Sequence, residues 1–199
     1  MTSFSLPRRK GKLSPSYDLL LGFIPFVLFS VLTRLSLDLA LWAAFAAGFA
    51  LGLRGFLETR ALRMLDAGSA AVFGFLALFG GFVAPSLDTA AIRLIVDASL
   101  LAIAIASLVA RDPLTLQYAK GALEDDIRRS SRFVRANYLV TAVWAAAFAL
   151  MALADGAATF DPRVPLTGAV AAGVVSLAGA LLFTWRYPLR AMARVQRRR

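Results

Sequence analysis

The spacing of its apolar runs constrains this chain more than any other feature. Six stretches, at about residues 16–33, 37–53, 67–83, 89–110, 133–154 and 166–185, are nearly free of charge and are joined by polar or basic connections. A bilayer core of about 30 Å needs roughly 20 apolar residues in helical form, and in hydrocarbon only a helix or a closed barrel satisfies its own backbone groups. The runs therefore predict an all-α fold, a polytopic transmembrane helical bundle of about six helices. The 199 residues are 59% hydrophobic, against roughly 45–50% in a soluble domain, which agrees with that reading. The first run follows a short basic segment like a signal-peptide core, but no small-residue cleavage site ends it, so it reads as an uncleaved helix. Pro25 interrupts it, and a proline inside a helix removes a backbone donor, so a kink or break is expected there.

The distribution of charge predicts the orientation. The segments 1–15, 54–66, 111–135 and 186–199 hold 4, 3, 6 and 6 basic residues, 19 of the 22 in the chain. The connections on the other side hold only Arg34, Arg93 and Arg163. Cytoplasmic loops of membrane proteins carry the excess of Lys and Arg, so both termini are expected in the cytoplasm, with the basic faces against anionic lipid headgroups. The organisation is then a basic N-terminus (1–15), a six-helix membrane domain (16–185) and a basic tail (186–199). Between helices four and five the membrane domain carries a cytoplasmic connection at 111–135. A net charge of +10 in a soluble chain would suggest nucleic acid, but no folded basic domain is present to bind it. The chain has no Cys and no His, which removes disulfides, thiolate nucleophiles and the usual zinc sites; no metal or cofactor is expected.

Asp97 is the sharpest polar feature, an acid about halfway along the fourth apolar run. A carboxylate there costs roughly 2.5–3.5 kcal/mol on insertion scales and needs either a partner or a task. As a functional group it would be a proton or cation relay. As a structural one it would pair with Arg93, one turn earlier on the same face, or stay protonated and hydrogen-bonded. No second carboxylate, His or Lys is evident nearby. Asn137 and Thr141, one turn apart, suit interhelical hydrogen bonding better than ligand binding. Ala40, Ala44, Gly48 and Gly52 form a small-residue stripe on the second helix, and Gly168, Ala172, Ser176 and Ala180 form another on the sixth. Such stripes let helices approach closely and are read as packing seams. Asp18, Asp38, Asp66 and Asp88 lie at or near helix starts, where capping and the helix dipole explain them. Trp144, Trp185 and Tyr187 fall where an interfacial aromatic belt belongs.

The 111–135 connection reads as an amphipathic helix on the inner membrane face. Within it Glu124, Asp125 and Asp126 precede Arg128 and Arg129, giving two i,i+4 pairs in the favourable order. This cluster is either a self-paired solvated face or a docking site for a partner. No GxSxG, HExxH or Walker A motif, no glycine-rich dinucleotide loop and no pair of intramembrane acids is legible, so no catalytic residue is assigned and the chain is not read as an enzyme.

The order of several segments resembles that of the intracellular septation protein A family of bacterial inner-membrane proteins, over roughly residues 17 to 190. The opening YDLLLGFIPFVLF, LDLALW, FGGF, RDPLTLQYA, FVRANYLVTAVWAAAF and WRYPL carry the likeness. The resemblance implies a multi-pass inner-membrane location and a non-catalytic part in septation and cell-envelope maintenance, through contacts with other envelope or division membrane proteins. It brings no catalytic residues. The EDD cluster and the arginine-rich tail depart from that pattern. The alternative is a small transporter or channel built around the intramembrane aspartate, although no internal repeat is evident between residues 1–85 and 86–199.

Overall fold

A computed structural model describes residues 15–82, 88–119 and 130–196. These form eight helices: α1 (Pro15–Gly22), α2 (Ile24–Leu32), α3 (Leu37–Thr59), α4 (Met64–Phe82), α5 (Thr89–Val109), α6 (Leu114–Ala119), α7 (Ser131–Phe160) and α8 (Leu166–Gln196). Four of them, α3, α5, α7 and α8, contain stretches long and apolar enough to cross a membrane, while the apolar part of α4, Met64–Phe79, is shorter. The outward faces carry Trp42, Phe49, Phe75, Ile105, Leu153, Val175 and Leu182. Helices that are apolar inside and outside alike belong in hydrocarbon, where the outward face needs no polar cover.

The first apolar run breaks where Pro25 predicts. Pro25 sits at the start of α2, where its missing N–H costs little, and Phe23 forms the joint between α1 and α2. The break turns the Phe23 ring inward, where it stacks on Trp144 with centroids 4.6 Å apart and also meets Phe148. Phe26 and Phe29 of α2 meet Phe73 of α4, so one aromatic cluster ties the α1–α2 joint, α2, α4 and α7 together. Trp144 is thus a core residue, 3% exposed, and not part of an interfacial belt. Its indole N–H donates to Thr184 of α8 at 3.0 Å, which satisfies the one polar atom that burial would strand.

Successive long helices pack side by side, α2 on α3, α3 on α4, α4 on α5, α5 on α7 and α7 on α8, so the chain alternates direction. Arg54, Arg60, Arg63, Arg111, Arg132, Arg135 and Arg186 gather at one end, and Arg34, Arg93 and Arg163 lie toward the other. These are called the basic end and the far end below. The first small-residue stripe is a seam inside the chain: Ala40 and Ala44 have no exposed surface, and Gly48 lies directly on α4. A Cβ at Gly48 would stand 2.8 Å from Ser69 Oγ and 3.1 Å from the Ala70 nitrogen. Gly52 is looser, with Asp66 Cβ at 3.8 Å. The second stripe is displaced by one residue at its start and joins the contact face at Ala180. Gly168 is exposed and Ala172 half-buried, while the contact face of α8 passes through Ala169, Gly173 and Ala180.

Two connections also differ from expectation. The third helix runs through Arg54 to Thr59 before Arg60 ends it in the left-handed conformation at φ 56°, so the 54–66 connection shortens to a corner. The fifth apolar run continues to Phe160, which makes Asp155 a helical residue and not part of a far-end loop.

Candidate functional site

Two polar clusters interrupt the apolar interior, one toward each end of the bundle. The far-end cluster lies in the seam between α5 and α7, the most extensively packed pair in the molecule. Asp97 faces inward from α5 and is 6% exposed; Asp155 faces it from α7 and is 1% exposed. Their carboxyl groups are within hydrogen-bonding reach of one another. Arg93 does not take Asp97 as its partner. Its Nε donates across the seam to Asp155 Oδ1 at 3.4 Å, a largely buried ion pair with the arginine side chain 14% exposed. Oδ2 of Asp97 and Oδ2 of Asp155 are both buried, and neither has a hydrogen-bond donor.

Thus the pairing expected within one helix is made between two helices, and the second carboxylate that seemed to be missing is present. The residue that sequence reasoning missed is Asp155. Its position in DGAATFDP, a segment rich in turn-forming residues, points to a loop. The signal that could have found it is spacing. Asp155 is four residues before Thr159, whose hydroxyl donates to the Asp155 carbonyl, and seven after Phe148, on the buried face of α7.

The basic-end cluster is built around α6. A six-residue helix is too short to hold itself, so its order must come from its surroundings. Each of its first donors is met by another helix or by its own turn. The Leu114 nitrogen donates to Ser107 Oγ of α5 at 3.1 Å, and the Thr115 nitrogen donates to Thr141 Oγ1 of α7 at 3.3 Å. The Leu116 and Gln117 nitrogens donate to the Pro113 carbonyl. Ser107 and Thr141 therefore cap α6 from outside its own chain segment, filling the place of a local N-cap.

The approach to α6 is equally fixed. Arg111 adopts φ 58°, and the Asp112 nitrogen donates back to the Ser107 carbonyl at 3.1 Å, a close of Schellman type with arginine where glycine is usual. Thr115 Oγ1 lies 3.1 Å from both the Asn137 carbonyl and Thr141 Oγ1. Asn137 itself donates from Nδ2 to the Phe133 carbonyl on its own helix, so its amide braces α7 and spans no gap to a neighbour. Tyr118, 1% exposed, donates its hydroxyl to Asp66 Oδ1 at 2.6 Å, and the Arg63 guanidinium lies 4.6 Å from the centre of its ring. Gln117 bridges the Met64 nitrogen and the Asp112 carbonyl.

The beginning of the 111–135 connection is therefore tucked into the bundle and does not lie along a membrane face. Asp66 does more than sit near a helix start, since it is the anchor for Tyr118. Asp88 occupies the cap position of α5 without making a side-chain cap bond. The candidate docking residues Glu124, Asp125, Asp126, Arg128 and Arg129 lie outside the described residues. At the basic end a shallow open hollow is lined by Arg54, Glu58, Arg63 and Asp66 together with Leu21 and Gly22 of α1. Arg54 and Glu58 pair at 2.8 Å along α3 at its rim. Among the described residues no group of three or more acidic side chains is placed to hold a metal ion.

Comparison of the chain with family models, with curated proteins and with solved structures finds no match in any of the three.

Proposed function

We propose that this chain is a non-catalytic multi-pass protein of the bacterial inner membrane, similar in role to septation protein A. It would serve cell-envelope maintenance and septation by contacting other envelope or division membrane proteins from its basic, cytoplasmic end. One observation carries the reading: the RDPLTLQYA segment is anchored from three sides. Ser107, Thr141 and Asp66 belong to α5, α7 and α4, and each binds a residue of α6. Residues 120–129, with the EDD acids and the arginines that follow, are thereby attached to two fixed points, Ala119 and Ser130. A partner that reads the acids and arginines of this segment would meet them between two anchored positions of the bundle. The basic end also suits a surface of anionic headgroups.

The test replaces residues 120–129 with a Gly-Ser linker of equal length in the native host. Cells lacking the protein should show a septation or envelope defect that the full chain corrects and the linker chain does not. Correction by the linker chain to the native level would remove the docking role. A second reading, a small transporter or channel for protons or monovalent cations, is favoured by the Asp97–Asp155 pair, since a buried acid with a second acid beside it is a better relay than an acid alone.

A further inference from the structure

We propose that Asp97 and Asp155 form a binding site for a single proton, shared between their two carboxyl groups beside Arg93. The assignment rests on the same pair as the transport reading but requires binding only.

Geometry carries it. Both acids are more than nine-tenths buried, and each of these neighbouring carboxyls has a fully buried oxygen, Oδ2, without a donor. A buried acceptor without a donor is costly, and carboxylates are acceptors only, so two facing carboxylates cannot satisfy each other unless one carries a hydrogen. A single proton supplies the missing donor. Charge leads to the same count. Arg93 brings one positive charge to two carboxylates, and among the described residues no other charged side chain is placed beside them. Among the described residues, α4 and α8 have their acids and arginines at the basic end, far from this level. Asp161 and Arg163, beyond the end of α7, pair with each other at 3.7 Å on the surface, and Asp88 at the start of α5 is exposed. Residues 83–87 contain no titratable side chain. One bound proton therefore makes the buried group neutral, which is the condition for ions to persist away from water. A metal ion suits the site less well, because the guanidinium already occupies one side of Asp155 and the nearby backbone carbonyls are engaged in their helices.

The experiment is infrared difference spectroscopy of the full chain in nanodiscs, titrated over the pH range in which it stays folded. The readout is the C=O stretch of a buried protonated carboxyl that shifts on H/D exchange. The native protein should show one such band, and Asp97→Asn and Asp155→Asn should each abolish it. Asp97→Asn should remain folded, because the amide N–H can donate to the Asp155 carboxylate in place of the proton. Arg93→Gln and Asp66→Asn should retain the band, the second because Asp66 takes its hydrogen from Tyr118. Absence of the band from the native protein throughout, its survival in Asp97→Asn, or its loss on adding Na⁺ at constant pH would overturn the assignment. Proton flux into proteoliposomes separates binding from transport. A native band without flux keeps the site and removes the transporter; flux lost in Asp97→Asn together with the band supports both.

Discussion

Replacing Tyr118 with Phe tests whether α6 is held by the bundle or merely lies against it. The substitution keeps the ring, and with it the contact to Arg63 at 4.6 Å and the packing in the core, and removes only the hydroxyl. That hydroxyl donates to a carboxylate oxygen of Asp66 at 2.6 Å, and Asp66 is 3% exposed. A hydrogen bond to a charged group contributes about 1.5–3 kcal/mol net, because the acceptor stays buried when its donor is lost. Tyr118→Phe should therefore weaken folding by that amount, a change of about 10- to 150-fold in the unfolding equilibrium. Steric trapping in bicelles measures this equilibrium without removing the membrane mimic. The decisive quantity is the cycle with Asp66→Ala, since both single variants remove the same bond. If the bond is the anchor, the double variant should be little worse than the worse single one. A loss within about 0.5 kcal/mol for Tyr118→Phe, or strict additivity of the two variants, would refute the claim that this pair fixes α6.

Two further outcomes follow from the packing. Gly48→Val should destabilise the bundle by about 1–3 kcal/mol, because Ser69 can turn aside but the Ala70 backbone at 3.1 Å cannot; Gly168→Val, whose Cβ would meet nothing closer than Pro165 at 3.7 Å, should stay near native in the same assay. Thr141→Val conserves volume but takes the acceptor from the buried Thr115 nitrogen, so it should cost about 1–3 kcal/mol and increase hydrogen exchange at the first turn of α6, whereas Thr141→Ser should restore most of the loss.

The apolar runs made the helices legible, because a run of membrane length has few other ways to bury its backbone. The break at Phe23 followed from Pro25, and the Gly48 seam followed from its four-residue spacing on the second helix. What stayed hidden depended on which neighbour each residue would meet. Arg93 and Asp97 are one turn apart and look like a pair, but in the fold Arg93 reaches across to Asp155, 62 residues away. Asp155 was hidden by a misplaced helix end, since DGAATF has the composition of a loop and yet continues α7. Trp144 carried the composition of a belt residue; only the inward turn of Phe23 at the helix break shows that it is stacked in the core. At Gly168 and Ala172 the α8 stripe missed by one residue, although Ala180 is buried, because small residues occur on both faces of that helix and periodicity alone does not say which face meets α7. For α6 the sequence offered amphipathic spacing, but its caps come from Ser107, across the turn that ends α5, and from Thr141, 26 residues away on α7.

The two polar clusters are separated by a dry layer, and this limits what the carboxyl pair can do. From Asp97 to Ser107 is ten residues along α5, about 15 Å at a helical rise of 1.5 Å. Between these levels the seam is filled by Leu100 and Ala104 from α5 and by Trp144, Ala147, Phe148 and Met151 from α7, all members of one buried cluster. Interiors packed in this way hold neither water nor ions, and an unpaired polar group crossing such a layer carries a cost of several kcal/mol. In this conformation that layer closes the carboxyl pair off from the basic end. Transport would require the α5–α7 seam to part over at least those six side chains, which would also disturb Thr141 and the cap it provides to α6. The far-end site and the basic-end anchor thus share one mechanical element, α7. A seam that stays closed when the carboxyl pair titrates leaves a site that binds without transporting. A seam that opens should loosen α6 at the same time, which would be seen as faster hydrogen exchange at Thr115 in the same pH range.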